Sequence, residues 1–293
     1  MPELPEVETV RKGLSDRLRF FCIEEVEVCR ERVIASPGGS DEFRSKLRGA
    51  HIGKWYRRGK YLIASLHKAA ELEQEAKGVT NTNVYGWLGV HLRMTGQFQW
   101  HQKLNPPCPY TRVRFWNPKG EELRFVDLRS FGQMWWVPSA SSPQRIISGL
   151  NKLGPEPFST KFNASYLEGS LTGRTRSIKS ALLDQSLVAG IGNIYADESL
   201  FSAGILPHKP SGKLTPLEIE ALCESIVKVL KISIGKGGTT FKDFRDLEGG
   251  NGKYGGEAWV YKRDGKSCRK CGTTIKRQKL TGRGTHWCPK CQK

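Results

Sequence analysis

Nowhere in the 293 residues is there an apolar run approaching the ~18 positions of a membrane-spanning helix. The chain start also lacks the basic stretch, apolar centre and small-residue cleavage site of a secretory signal. A soluble protein that stays in the cytoplasm is expected, with no membrane partner. Acidic residues are few beside basic ones: 29 Asp and Glu stand against 47 Lys and Arg, a formal charge of +18. That excess keeps a protein soluble, and it also favours a polyanionic partner, nucleic acid foremost. The glycine-rich residues 237–256 lack the Lys-Ser/Thr ending of a phosphate-cradling loop, so no nucleotide site of that kind is expected. A disulfide framework is missing as well. Of the eight cysteines, Cys22, Cys29, Cys108 and Cys223 stand singly, and no secretory signal argues for oxidation.

The other four cysteines form the clearest chemical pattern. Cys268 and Cys271 make one Cys-x-x-Cys knuckle, and Cys288 and Cys291 make another after sixteen residues. This spacing matches one tetrahedral zinc ion, with a disulfide pair or iron–sulfur cluster as the alternatives. Four thiolates leave zinc no open position, so the metal is expected to hold shape and not to catalyse. Around it the charge is lopsided: from Lys262 to Lys293 there are eleven Lys or Arg and one acid, Asp264. The expected hairpin over 276–285 is thus a basic finger, with Arg283 at a glycine-flanked tip suited to grip phosphate.

Periodicity divides the rest. Short β-branched or aromatic runs at 23–28, 60–66, 84–94, 111–116, 122–126 and 132–137, separated by turns, predict an antiparallel sandwich or barrel. A helix opened by Pro5, with Val7, Val10, Leu14 and Leu18 on one face, is expected to pack against it. An alanine- and glutamate-rich insert at 68–77 is helix-prone and carries no assigned role. Beyond the Ser/Pro-rich break at 138–143 the period becomes helical. Helices are predicted over 177–188, 194–203 and 215–234, the last opened by Thr215-Pro216 and closed by Gly235. Gly190 and Gly192 before Asn193 form a tight turn whose backbone N–H groups suit a phosphate oxygen, although such a turn also serves plain helix packing. The glycine-rich segment after Gly237 is expected to be a mobile lid.

The fold class expected is therefore α+β in two domains. An N-terminal antiparallel β-sandwich with packed helices spans 1–137, and a linker follows over 138–160. A helical domain with a helix–turn–helix and a lid loop spans 161–260, and a four-cysteine zinc-finger β-hairpin closes the chain over 261–293.

At the very start stands Met1-Pro2-Glu3-Leu4-Pro5-Glu6-Val7-Glu8-Thr9. Removal of Met1 would leave Pro2 with a free secondary amine. An α-amino group titrates at roughly 7.7–8.0 and a lysine at about 10.4, so the terminal amine is the readier nucleophile toward a carbonyl carbon. Glu3 sits beside it as a proton donor. Taken alone, Glu3, Glu6 and Glu8 serve equally to complement a helix N-terminus.

Taken together, these residues resemble the bacterial formamidopyrimidine-DNA glycosylase family nearly end to end. The carriers are the Pro2 to Thr9 start, Arg58-Gly59-Lys60-Tyr61-Leu62, His91-Leu92-Arg93-Met94-Thr95-Gly96 and Asp127-Leu128-Arg129-Ser130-Phe131-Gly132. Gly192-Asn193-Ile194-Tyr195-Ala196-Asp197-Glu198, Gly237-Gly238-Thr239-Thr240 and the zinc finger with Thr281-Gly282-Arg283-Gly284-Thr285 complete the set. The resemblance implies a helix–two-turn–helix DNA-binding domain over 161–260, in a base-excision repair enzyme that flips an oxidised purine out of duplex DNA. Pro2 would attack the sugar carbon and Glu3 would protonate the opening ring. The Schiff base then allows β- and δ-elimination, served by Lys60 and Arg283 respectively. Met94, Arg129 and Phe131 would fill the vacated space in the duplex, and His91, Tyr110, Arg174, Lys179 and Asn193 would contact DNA. One structural zinc, a monomer and double-stranded DNA carrying oxidised purines or abasic sites are expected, on the bacterial nucleoid. The chain departs from the family's histidine-rich triplet at Pro109-Tyr110-Thr111. The alternatives are a non-catalytic zinc module that recognises damaged or abasic DNA, and an enzyme directed at oxidised pyrimidines.

Overall fold

The computed structural model describes residues 1–69, 84–103, 105–240 and 244–293. From residue 70 onward the insert at 68–77 lies outside these. The chain gathers into two units. One holds Met1–Pro2, Glu6–Asn151 and Thr240–Gly252, and the other holds Glu3–Pro5, Lys152–Thr239 and Lys253–Lys293. The sequence placed the first cut at 137; the strand that ends there and the short helices after it stay with the first unit.

The first unit is a sandwich of two four-stranded antiparallel sheets. β1 (Glu25–Val28), β6 (Thr111–Trp116), β7 (Glu122–Asp127) and β5 (Gly96–His101) form one sheet in that order. β2 (His51–Arg58), β3 (Tyr61–His67), β4 (Gly86–His91) and β8 (Gln133–Pro138) form the other. One core draws on both sheets through Trp55, Leu62, Leu88, Phe98, Phe115 and Phe125. Each such side chain contributes about 1.5–3 kcal/mol on burial. Helix α1 (Leu4–Arg17) adds Val7, Val10 and Leu14, and Leu18 just past its end completes the face that the spacing predicts. Helix α2 (Gly39–Leu47) adds Phe43 and Leu47. Strands β2 and β5 escaped the sequence reading, because a bulge between Ile52 and Trp55 breaks the alternation in one and glycine opens the other. Past β8, helices α3 (Pro143–Ile146) and α4 (Ser148–Asn151) lie on the same sheet, with Ile147 over Gly89.

The second unit is helical and carries the zinc-finger hairpin. It contains α5 (Ala164–Leu171), α6 (Ile178–Leu182), α7 (Asn193–Ala203) and α8 (Pro216–Gly235). The helix expected over 177–188 stops at Leu182. The Asp184 carboxylate accepts from the Ser186 N–H and hydroxyl at 2.9 and 2.6 Å, which turns the chain. α8 begins as its sequence predicts. The Thr215 hydroxyl accepts from Glu218 N–H, Glu218 accepts from Thr215 N–H at 2.8 Å, and Pro216 fills the first turn. Helix α7 is buried all round from Tyr195 to Phe201, so it is the axis on which this unit is built. β9 (Lys276–Leu280) and β10 (Arg283–Trp287) pair across a two-residue turn, Thr281-Gly282, both at positive φ (46° and 79°).

Candidate active site

In the first unit the chain start faces two loops. Met1, Arg32, Arg93, Met94, Ser130, Phe131 and Gln133 line a cavity of about 380 Å³. Met1 is exposed and Pro2 beneath it is buried. Met94, distant in sequence, joins Arg129 and Phe131 in one exposed cluster. The Arg129 guanidinium donates to Met94 Sδ at 3.0 Å and lies 4.8 Å from the Phe131 ring centroid. The buried Asp127 carboxylate accepts from Arg129 N–H at 3.2 Å and Gly132 N–H at 2.7 Å, pinning the loop that presents them. Asp127 lies in a motif that the sequence reading marked, but only folding shows its task. Tyr110, 46% exposed, has its carbonyl on Asp127 N–H and so belongs to the same edge.

Lys60 sits in the two-residue turn of the β2–β3 hairpin, where Gly59 takes φ 56°, and its side chain is mostly buried at 6% exposed. Glu8 accepts from Arg11 and Arg57, and Arg57 donates to the Gly59 carbonyl at 3.1 Å. A residue that alone reads as helix-start charge thus fixes the turn holding Lys60. His91, expected to contact DNA, lies mostly inside the fold. It is 7% exposed, its Nδ1 accepts Arg93 N–H at 2.9 Å, and its ring meets Tyr61 edge-on. Burial first, and then Arg93 and Lys60, push its pKa down to about 3, so the imidazole is neutral. The structure gives it a supporting place under the Arg93–Met94 loop. In the segment expected to be a lid, Phe244 and Leu247 are buried in the sandwich core, Leu247 O accepts Trp100 N–H, and residues 241–243 lie outside the described ones.

In the second unit Glu3 is 3% exposed and sits at the start of α7. Its carboxylate accepts from Ile194 N–H at 3.0 Å and Tyr195 N–H at 3.3 Å. Those are the donors that the sequence reading left open for phosphate; the chain's own carboxylate takes them. The two glycines are needed for that approach. A Cβ at Gly192 would stand 2.3 Å from Glu3 Cδ, and one at Gly190 would stand 2.7 Å from Leu4 Cβ. Asn193 donates to Gly284 O at 3.0 Å, beside Arg283, whose side chain is exposed at the hairpin end.

Lys179 also faces inward. It is 1% exposed, with Nζ 2.7 Å from Asp197 and donating to Gly284 O and Thr285 Oγ1 at 2.9 Å each. Burial pulls its pKa down and Asp197 holds it up. Asp197 also accepts from His286 N–H at 2.9 Å, and Asn193 lies one turn earlier on the same face of α7. Together they clamp residues 284–286, next to Arg283. Sequence reading missed Asp197 because burial, not spacing, reveals it. Arg174 is exposed and contributes its carbonyl to Gly212 N–H.

The four cysteine sulfurs lie within 4.8 Å of one another, with Cys268–Cys291 at 3.9 Å and Cys271–Cys288 at 3.4 Å. Zinc bonds of about 2.3 Å in a tetrahedron set sulfurs roughly 3.8 Å apart, so the donor set fits one structural zinc. Phe201, Val260 and Ile275 pack around it.

Comparison with known proteins gives the same pattern over the whole length. Residues 1–134 match the formamidopyrimidine-DNA glycosylase N-terminal domain, 153–245 its H2TH domain, and 265–293 the zinc finger found in FPG and IleRS. A formamidopyrimidine-DNA glycosylase of Prochlorococcus marinus strain MIT 9313 is 65% identical over 293 residues, with all of both chains covered. One from Parasynechococcus marenigrum is 61% identical over 292 residues, again with all of both chains covered. Among solved structures, a Lactococcus lactis FPG variant in complex with Fapy-dG-containing DNA superposes at TM-score 0.87 with 33% identity, covering all of both chains. The Lactococcus lactis Fpg with abasic-site DNA gives 0.86 and 33%, covering 99% of each. The chain belongs to the formamidopyrimidine-DNA glycosylase family.

Proposed function

We propose that the chain is a bifunctional base-excision enzyme: it removes oxidised purines from duplex DNA and then cuts the strand as an abasic-site lyase. Its relatives of known structure hold Fapy-dG and abasic-site DNA, which supports both halves of the reading. With Met1 removed, the Pro2 nitrogen attacks C1′ of the deoxyribose, and the C1′–base bond breaks with its electron pair leaving on the base. Glu3 protonates the ring oxygen as the sugar opens, which leaves an iminium between Pro2 and C1′. That iminium acidifies the C2′ proton. Its loss expels the 3′ phosphate, and a second elimination expels the 5′ phosphate. Lys60 serves the first elimination and Arg283 the second. Met94, Arg129 and Phe131 enter the space left by the extruded nucleotide. Arg174, Tyr110 and Asn193 hold the backbone, while Lys179 and His91 act through the residues they position. The enzyme works as a monomer on nucleoid DNA in the cytoplasm.

The observation that carries this reading is the cavity beside Met1, walled by Met94 and Phe131. A non-catalytic module has no use for a chain start placed there. Borohydride reduction during reaction with an abasic or 8-oxoguanine duplex tests it. Pro2 is expected to become covalently joined to the sugar. No adduct from protein lacking Met1, or an equal adduct from Pro2→Gly with an extended N-terminus, overturns it.

A further inference from the structure

Helix α8 buries Ile219, Leu222, Ile226, Val229 and Leu230 in the core of its unit. It also presents a second, partly apolar face. Two rows of residues four apart run side by side there: Cys223, Val227 and Lys231, and Glu224, Lys228 and Ile232. With Phe162 they line a hollow of about 660 Å³. Lys228 and Ile232 form the ridge between this hollow and another of about 550 Å³, whose walls include Phe201, Tyr254, Trp259, Arg269 and Lys270.

Ile232 and Trp259 are each 42% exposed, and Trp259 stacks on Phe201 with centroids 5.6 Å apart. Large apolar side chains exposed at one spot mark a contact surface. Burial pushes the Cys223 thiol up to about 11, so it is apolar floor and not a nucleophile. The rim is mainly cationic. Lys228, Lys231, Arg269 and Lys270 stand against Glu224 and Glu257, and Glu257 is already paired with Lys236 at 2.7 Å. The basic rim favours an anionic ligand, and the apolar floor asks that ligand for apolar side chains, which a phosphate backbone with its mostly polar and charged contacts does not offer.

We infer that this double hollow docks an acidic segment of another protein. Two large apolar side chains of the segment fill the hollows on either side of Ile232, and its carboxylates meet Lys228, Lys231 and Lys270. Apolar anchors supply affinity and the complementary charge supplies orientation and on-rate. None of the residues proposed for catalysis or DNA contact takes part, so the docking reading stands apart from the enzymatic one.

The test uses the full zinc-loaded chain and a short fluorescein-labelled peptide in which Asp alternates with Leu and Phe. A companion peptide carries Ser in place of Leu and Phe. Anisotropy is expected to show the first binding at least about ten-fold tighter than the second, a difference of about 1.4 kcal/mol. Ile232→Glu is expected to weaken it about ten-fold or more. Lys231→Glu weakens it less and flattens its salt dependence. Both positions are exposed, and both variants should keep the wild-type melting temperature and 8-oxoguanine excision rate. Equal binding of the two peptides, or of one peptide to wild type and Ile232→Glu, overturns the inference. So does an equal loss of duplex-DNA affinity in Ile232→Glu, which makes the face a DNA surface. A dimer in sedimentation that Ile232→Glu dissociates overturns it too, since the face then covers a second copy of the chain.

Discussion

A carboxylate at position 3 carries two demands, and its surroundings separate them. The N–H groups of Ile194 and Tyr195 fix where Glu3 points, and only its proton is used in the proposed reaction. Glu3→Gln keeps an acceptor for the backbone but cannot protonate the sugar. Its excision rate is expected to fall about 10²–10⁴-fold, the usual range for a lost general acid, with an unchanged melting temperature. His91 gives a pH prediction. Its folded pKa is depressed to about 3, so its neutral form contributes stability that is fully present above the unfolded value of about 6.5. That stability is lost as pH falls from there toward 3, at up to about 1.4 kcal/mol per pH unit. Urea unfolding of wild type and His91→Gln between neutral and acidic pH should show the wild type losing more stability. Equal slopes would refute the assignment. These pairings were only partly legible beforehand. Glu3 is marked by its neighbours in sequence, whereas His91 looks like any motif histidine until its burial is seen.

At the scale of elements, α7 organises the second unit because its two buried carboxylates, Asp197 and Glu198, both have partners inside the protein. Glu198 accepts the N–H groups of Trp259, Val260 and Tyr261, and Asp197 holds Lys179 and His286. Removing one partner of a buried ion pair leaves the other charged and dry, which costs about 3–5 kcal/mol. Asp197→Ala is therefore expected to lower unfolding free energy by that amount in denaturant titration. The strand-cleavage step should suffer more than base release, since the β10 start that bears Arg283 loses its clamp. The turn before α7 is as constrained. Gly192→Ala drives a methyl into Glu3, so excision should collapse while the zinc content stays at one ion per chain, read by metal analysis. Helix α8 was legible to within a residue because its Thr215–Glu218 box is local chemistry. The helix expected over 177–188 was not, because Asp184 turns the chain by a contact that periodicity does not encode.

For the whole molecule, charge and zinc set behaviour no single residue decides. With a net charge of +18, affinity for duplex DNA should fall linearly on a log–log plot against salt, by about 0.9 per phosphate neutralised. Arg283→Ala should reduce that slope by about one and leave base preference unchanged. Stripping zinc with a chelator should release the finger, whose small core of Phe201, Val260 and Ile275 is too slight to fold alone. DNA binding is then expected to be lost while the sandwich stays folded, as followed by circular dichroism. The described residues include no helix long and apolar enough to cross a membrane.

The sequence by itself determined whatever depends on neighbours along the chain. It set the two cysteine knuckles and their metal, the Thr281-Gly282 turn that offers Arg283, the caps of α8 and the apolar face of α1. Only the tertiary structure decided what depends on residues far apart. It gathered Met94, Arg129 and Phe131 into one exposed cluster, turned His91 and Lys179 inward, and gave the α7 N-terminus to Glu3 in place of a phosphate. The physical reason is that a polar residue's role follows from the partner it meets and the water it loses. Both are fixed by packing, and spacing along the chain records neither.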